Sequence, residues 1–245
     1  MLSWFSKKKE KELDPLDFSM LQTDIHSHFI PGIDDGSPDM ETTINLMQEM
    51  ERLGFTKVIT SPHVMSDFYK NSSEIILKGL DSVRAELKGQ NINMEIDAAA
   101  EYYLDYNFEQ KIGLEKFLTF GINYLLVELS FVEAPKSFFD IIFKLQLEGY
   151  KVVLAHPERY HYFQMKDYEE LVSRGVLLQI NCLALVDYYS IEIRRKAEAL
   201  IAQNMVSFLG TDCHNMQHAE LYKGCQTKKA WHDLYNSGKL LNSTL

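Results

Sequence analysis

The residues of this chain with the most chemical potential are histidines, aspartates and glutamates that close short apolar runs. The first run ends in Asp24-Ile-His26-Ser-His28. On an extended chain, residues two apart point the same way, so both imidazoles can reach one ion. The second run ends in Ser61-Pro62-His63, the third reaches Glu101, the fourth Glu128, the fifth His156 and the seventh Asp212-Cys213-His214. Asp35, in Pro31-Gly-Ile-Asp-Asp-Gly36, follows the first run. Alone, His63 or His156 reads equally well as a hydrogen-bonded core histidine. Placed together at one rim, the nine residues read as a metal site. Five imidazoles and four carboxylates exceed the needs of one ion, so about two to three divalent ions with shared carboxylates are expected. Nitrogen and oxygen donors suit Mn²⁺, Fe²⁺ or Zn²⁺, and do not suit Cu(I).

Arg159 stands three residues beyond His156, in His156-Pro-Glu-Arg159-Tyr160. A planar cation beside such a cluster suits a phosphate or carboxylate ligand, against the plainer alternative of a surface salt bridge to Glu158 or Glu169. Other phosphate chemistries lack their residues. A cysteine phosphatase needs an arginine six residues after its nucleophile, and Cys182, Cys213 and Cys225 are followed at that spacing by Tyr188, Ala219 and Trp231. No GxxxxGK[ST], GxGxxG or GxSxG motif is present. Cys213 reads as a packing residue between two ligands.

The elements that must position these residues are short and alternate in type. Candidate strands cover residues 21–26, 57–61, 94–99, 124–129, 152–156, 176–181 and 207–211, several without polar alternation, as in strands buried on both faces. Met40, Ile44, Met47 and Met50 have helical spacing, with Ser37 as the expected N-cap, Pro38 at the first helical position and Gly54 as the stop. Ile76, Leu80, Val83 and Leu87 repeat the spacing and are closed by Gly89. Ile141, Ile142 and Leu145 precede Gly149; Ile193, Ala197, Leu200 and Ile201 precede Asn204; a last helix is expected over about residues 219–236. Strands alternating with helices predict a parallel α/β fold, either an open doubly wound sheet or a closed barrel. In both, sites form at the C-terminal ends of the strands.

The 245 residues are 46% hydrophobic, enough for a sizeable core, and the formal charge of −10 disfavours nucleic-acid binding. No apolar run approaches the ~20 residues that cross a bilayer. The three cysteines form no CxxC pair, which points to a reducing cytoplasm. Residues 1–20 are expected to be a flexible tail and 21–245 a single domain. Within the tail, Trp4, Phe5 and Lys7 to Lys9 offer a weaker reading as a contact with anionic lipid. Tyr188-Tyr189 and Arg194-Arg195 are exposed candidates for partner contact, with a solvated loop and helix face as the favoured reading.

The ordered series Asp24-Ile-His-Ser-His28, Pro31-Gly-Ile-Asp-Asp-Gly36, Ser61-Pro-His63, Glu101-Tyr-Tyr103, Val127-Glu-Leu129, Ala155-His-Pro-Glu-Arg-Tyr160, Gln179-Ile-Asn181 and Gly210-Thr-Asp-Cys-His-Asn215 resembles the polymerase-and-histidinol-phosphatase (PHP) superfamily. Within it, the series resembles the manganese-dependent bacterial protein tyrosine phosphatases of capsule and exopolysaccharide operons. The resemblance implies a distorted TIM-like (β/α)7 barrel with a trinuclear site. His26, His28, Glu101 and Asp212 would hold one ion, Glu101, Glu128 and His156 a second, and Asp35, His63 and His214 a third. It also implies phosphate held by Arg159, attack on phosphorus by a metal-bridging hydroxide, and Asp35 and His63 in the catalytic set. The implied substrate is phosphotyrosine on a tyrosine kinase of polysaccharide export, met in the cytoplasm or at the inner membrane surface. Family members carry a second arginine shortly after the DxHN segment. Here only His218 is near, the remaining candidate for binding phosphate. A small phosphomonoester such as histidinol phosphate, or a catalytically weak kinase-binding regulator, are the alternatives.

Overall fold

The apolar runs become parallel strands because their side chains are covered on both faces, a pattern that parallel sheets require. The computed structural model describes residues 12–245. The lipid contact suggested for Trp4, Phe5 and Lys7 to Lys9 lies outside the described residues. Strands β1 (Thr23–Asp24), β2 (Lys57–Thr60) and β4 (Glu95–Ala98) form one parallel sheet in the order β1-β2-β4. Strands β3 (His63–Val64), β5 (Glu101–Tyr103), β6 (Tyr124–Glu128), β7 (Lys151–Ala155), β8 (Leu177–Asn181) and β9 (Val206–Gly210) form a second in that order, again parallel.

The nine strands are the seven expected runs, two of them interrupted. Ser61-Pro62 separates β2 from β3, and Ala99-Ala100 separates β4 from β5. Proline cannot donate to a ladder, so a strand reaching Pro62 breaks there. At the other seam an isolated parallel bridge joins Ser27 to Cys213, flanked by Asp212 N–H to His26 O at 2.7 Å and His28 N–H to Cys213 O at 3.0 Å. The order therefore runs once around a barrel-like ring. Inside it, Ile25, Ile59, Tyr124, Leu126, Val153, Ala155 and Phe208 form one apolar cluster, while Leu125, Val127, Val152 and Leu154 belong to the larger cluster outside. That parity carries Glu128, two residues beyond Leu126, to the inner mouth of the ring.

The α-helices are α1 (Met40–Arg52), α2 (Ser73–Gly89), α3 (Tyr106–Lys111), α4 (Phe138–Leu147), α5 (Met165–Ser173), α6 (Ile191–Ala202), α7 (Met216–Cys225) and α8 (Lys229–Ser237), beside short 3-10 turns at Pro157–Arg159, Cys182–Leu185 and Asn242–Thr244. Several expected boundaries move. The N-cap of α1 is Asp39, whose side chain accepts from Thr42 N–H at 2.8 Å, so Ser37 and Pro38 precede the helix. Gly89 is still helical, and the left-handed position falls to Asn91, at φ 55°. The single last helix is two helices, α7 and α8. At the break the carbonyls of Gln226 and Thr227 accept from Leu16 and Leu13, bonds that a continuous helix would have used internally. Within the segment expected as a tail, Leu13, Leu16 and Phe18 are held against the domain. Phe18 is fully buried, 5.4 Å from the Phe55 ring and 5.0 Å from Trp231, whose Nε1 donates to Leu16 O at 2.7 Å.

Asn242 closes the lower end of the ring. Its amide nitrogen donates to Thr23 O at 2.9 Å and Leu209 O at 2.8 Å, and its oxygen accepts from Leu209 N–H at 3.1 Å. Asn242→Ala strands these buried backbone groups and should cost about 2–4 kcal/mol. In urea the unfolding midpoint should fall with an unchanged slope. A midpoint equal to that of the parent would show that the tie contributes nothing.

Candidate metal centre

Glu101 opens β5 immediately after the Ala99-Ala100 break and is fully buried. Its Oε2 lies 2.9 Å from His63 Nδ1, 3.3 Å from His26 Nε2 and 3.7 Å from His28 Nε2, and its Oε1 lies 3.0 Å from His156 Nε2. Asp212 Oδ1 is 3.5 Å from His26 Nε2, 3.4 Å from His28 Nε2 and 3.6 Å from His214 Nδ1. Glu128 lies 3.7 Å from both His63 Nδ1 and His156 Nε2, and Asp35 Oδ1 lies 3.5 Å from both His63 Nε2 and His214 Nε2. All nine expected residues thus meet at one end of the ring. Their grouping is more shared than the resemblance implies. Donor atoms of His28, Asp35, His63 and His214 converge, as do those of His26, His28 and Glu101, and those of His63, Glu101 and Glu128. His28, His63 and Glu101 each enter two groups.

The donors fit a divalent cation. His26 Nε2, His28 Nε2 and Glu101 Oε2 are buried without a hydrogen bond of proper geometry, an arrangement costly to keep unless something else binds there. Three imidazoles have their other nitrogen engaged: His26 Nδ1 with Gln179 Oε1 at 2.8 Å, His28 Nδ1 with Asp34 Oδ2 at 2.8 Å and His214 Nδ1 with Asp212 O at 2.9 Å. Such partners hold Nδ1 protonated and leave Nε2 free for a metal.

The electrostatics also call for cations. Burial alone would lower the pKa of His26 and His63, yet Glu101 outweighs it, with Asp212 for His26 and Glu128 for His63, and both rise to about 10. Burial opposes a charged Glu101 as well, but His26 and His63 hold its carboxyl well below the usual range. Glu128 is pushed up to about 8, first by burial and then by Glu101. His156 falls to about 4 through burial. Protons on imidazoles are the only counter-charge that the ligands themselves can provide, and bound divalent ions would displace them.

Several positioning residues escape a reading of ligand types alone. Asp34 accepts from His28 Nδ1, and also from His63 N–H at 3.1 Å and Gly36 N–H at 3.0 Å. Its place beside Asp35 was the one available signal. Asn181 donates to Asp212 Oδ2 at 2.6 Å, and its own N–H is held by Glu158 at 2.9 Å. Buried Asp24 accepts from Thr211 N–H at 2.9 Å and Thr211 Oγ1 at 2.8 Å, anchoring the chain that leads to Asp212. His156 and Asp212 have left-handed backbones, at φ 34° and 54°, a strain of about 1–3 kcal/mol each that turns both side chains into the cluster.

Above the cluster opens a cavity of about 390 Å³, lined by Asp35, His63, Glu128, His156, Asp212 and His214 together with Arg159, Phe131, Tyr188, Tyr189, Asn215 and His218. A larger depression of about 560 Å³ between α2 and β4 contains no comparable ligand set. The Arg159 guanidinium is sandwiched between the Phe131 and Tyr189 rings, 4.5 and 4.8 Å from their centroids, and lies 3.3 Å from Asp212 Oδ2. Its partner is therefore Asp212, while Glu158 is buried beneath. His218 lies in the cavity wall with a pKa lowered by burial and by His214, so it is a poor cation at neutral pH. Tyr188 is exposed on a loop, as expected, and with Tyr189 also lines the cavity, while Arg194 pairs with Asp187 and Glu198 near the start of α6. Cys213 is buried in the core, as expected of a packing residue.

Comparison with known proteins agrees with this geometry. A protein described as tyrosine-protein phosphatase YwqE of Bacillus subtilis is 27% identical over 197 residues, 79% of this chain and 78% of that protein. A putative tyrosine-protein phosphatase CapC of Staphylococcus aureus is 25% identical, over 79% of this chain and 77% of its own length. A crystal structure from work on YwqE of B. subtilis and CpsB of Streptococcus pneumoniae, described as unique metal-dependent tyrosine phosphatases, shares the fold with a TM-score of 0.79, at 24% identity over 91% of this chain and 90% of that one. Histidinol phosphate phosphatase of Lactococcus lactis shares it more distantly, with a TM-score of 0.54 and 16% identity over 92% and 94% of the two chains. The sequence profile of the capsular polysaccharide synthesis family CpsB/CapC matches residues 22–229, and the chain belongs to that family.

Proposed function

We propose that this chain is a metal-dependent protein tyrosine phosphatase, hydrolysing phosphotyrosine on a bacterial tyrosine kinase of polysaccharide export. The observation that carries this reading is the convergence of nine ligand-type side chains, six of which line an open cavity beside one stacked arginine. The phosphatases among its relatives support the same reaction class.

We assign two to three divalent ions to His26, His28, Asp35, His63, Glu101, Glu128, His156, Asp212 and His214, with Mn²⁺ favoured and Fe²⁺ or Zn²⁺ accommodated by the same donors. Bound there, such ions supply a nucleophile from water at neutral pH and offset the charge of the phosphoryl group. The protein's own part is positional. Arg159, kept flat by Phe131 and Tyr189 and kept charged by Asp212, presents its fork to the phosphoryl oxygens. Asp35, about half exposed, and His63 form the outer edge of the ligand set and face the substrate. A tyrosyl leaving group, with a pKa of about 10, needs only modest help to depart. Among the described residues no helix is long and apolar enough to cross a membrane, and we place the reaction in the cytoplasm, where the kinase tail would be met.

Protein stripped of metal should release no phosphate from a phosphotyrosyl peptide and should regain activity as Mn²⁺ is restored to two or three equivalents. Turnover that survives stripping would overturn the metal mechanism. Faster turnover of histidinol phosphate than of the peptide would reassign the substrate. Arg159→Ala should lower kcat/KM about 100-fold or more with metal content unchanged, and Arg159→Lys should restore only part of it. Kinetics equal to the parent's would remove Arg159 from the reaction. Asp34→Ala, which frees His28 to turn, should weaken Mn²⁺ binding about 10–100-fold in a chelator competition; unaltered affinity would exclude this support.

A further inference from the structure

The cavity wall contains a hydrogen-bond chain that the reaction outlined above does not use. His214 N–H donates to His218 Nδ1 at 3.4 Å, and His218 Nε2 lies 2.8 Å from Tyr188 Oη. The Nε2–H tautomer of this imidazole fits both contacts. In that tautomer Nε2–H donates to Tyr188 Oη, and the phenol's own proton is left to point elsewhere. Among the described residues it has no other partner.

The geometry around the pair is well defined. His218 N–H is held by Asn215 Oδ1 at 3.0 Å, which fixes the residue at the start of α7. Tyr188 meets Tyr189 edge-on at 5.0 Å and His218 edge-on at 5.3 Å, and Tyr189 in turn covers Arg159. Tyr188, His218 and Arg159 all line the one cavity.

We propose that Tyr188 is a further substrate-binding residue, whose hydroxyl, oriented by His218, donates its proton to a phosphoryl oxygen beside the Arg159 guanidinium. His218 is then a positioning residue that acts through Tyr188, and the second phosphate donor of this site is neutral. The inference rests on the phosphatase reading for its substrate but concerns any phosphoryl group in the cavity.

The test uses metal-loaded protein, with bound metal counted, and inorganic phosphate as the probe in calorimetry, followed by kcat and KM on a phosphotyrosyl peptide. Tyr188→Phe removes one oxygen from a partly exposed ring and should weaken phosphate binding roughly tenfold. His218→Ala should weaken it by a similar or smaller factor. In the Tyr188→Phe background, His218→Ala should have no further effect, because the two act in series. Phosphate affinity unchanged by Tyr188→Phe would overturn the proposal. So would a His218→Ala effect of full size in both backgrounds, since His218 would then bind phosphate itself. Parent protein that binds phosphate yet leaves the peptide intact would count against the phosphatase reading alone, and the binding cycle would still decide the role of Tyr188.

Discussion

A fully buried carboxylate, Glu101, with imidazole nitrogens of four histidines within 3.7 Å, is the interaction on which the rest of the structure depends. Such a group is too costly to bury unless opposite charge surrounds it. That charge comes from His26, beyond the end of β1, and from His63, at the start of β3, so these two segments must meet at Glu101. The two strand breaks serve this convergence. They lie side by side, with Ala99 N–H bonded to Thr60 O at 2.8 Å and Glu101 N–H to Pro62 O at 3.0 Å. The offset opens the ring where the candidate ligands enter, while the ladder continues on either side.

The same ring is apolar below and ionic above. Along β6 the inward row passes from Tyr124 through Leu126 to Glu128, from aromatic plug to candidate ligand in five residues. The change is sharp because a carboxylate among Phe120, Tyr124 and Phe208 would have no partner, whereas at the mouth it has His63 and His156. Strain is tolerated at the mouth for a related reason. Left-handed His156 and Asp212 are held by Arg159 N–H on His156 O, by Asn181 on the Asp212 carboxylate and by the bridge across the seam.

Above the ligands, the cavity is walled by aromatic rings and one guanidinium. Stacking between Phe131 and Tyr189 limits the rotamers of Arg159, so less entropy is lost when it engages a substrate. Near His214 the wall also holds the hydrogen-bonded pair of Tyr188 and His218.

Much of this site was legible in the sequence. Each ligand-type residue stood at or just beyond the end of an apolar run, and in a parallel α/β fold those ends share one rim, so joint placement followed from order alone. The spacing of Met40, Ile44, Met47 and Met50 likewise identified a helix, although its cap moved to Asp39. Other features required the folded chain. Asp34 and Asp35 are adjacent and chemically alike; only the loop geometry gives Asp34 to His28 and Asp35 to His63 and His214. The break between α7 and α8 depends on backbone donors from Leu13 and Leu16, more than two hundred residues away. The partners of Arg159 come from three separate segments. Residue types and local period are properties of neighbouring positions, and the sequence determines them by itself. Which buried group receives which hydrogen bond is settled by contacts between distant segments, and the tertiary structure alone decides those.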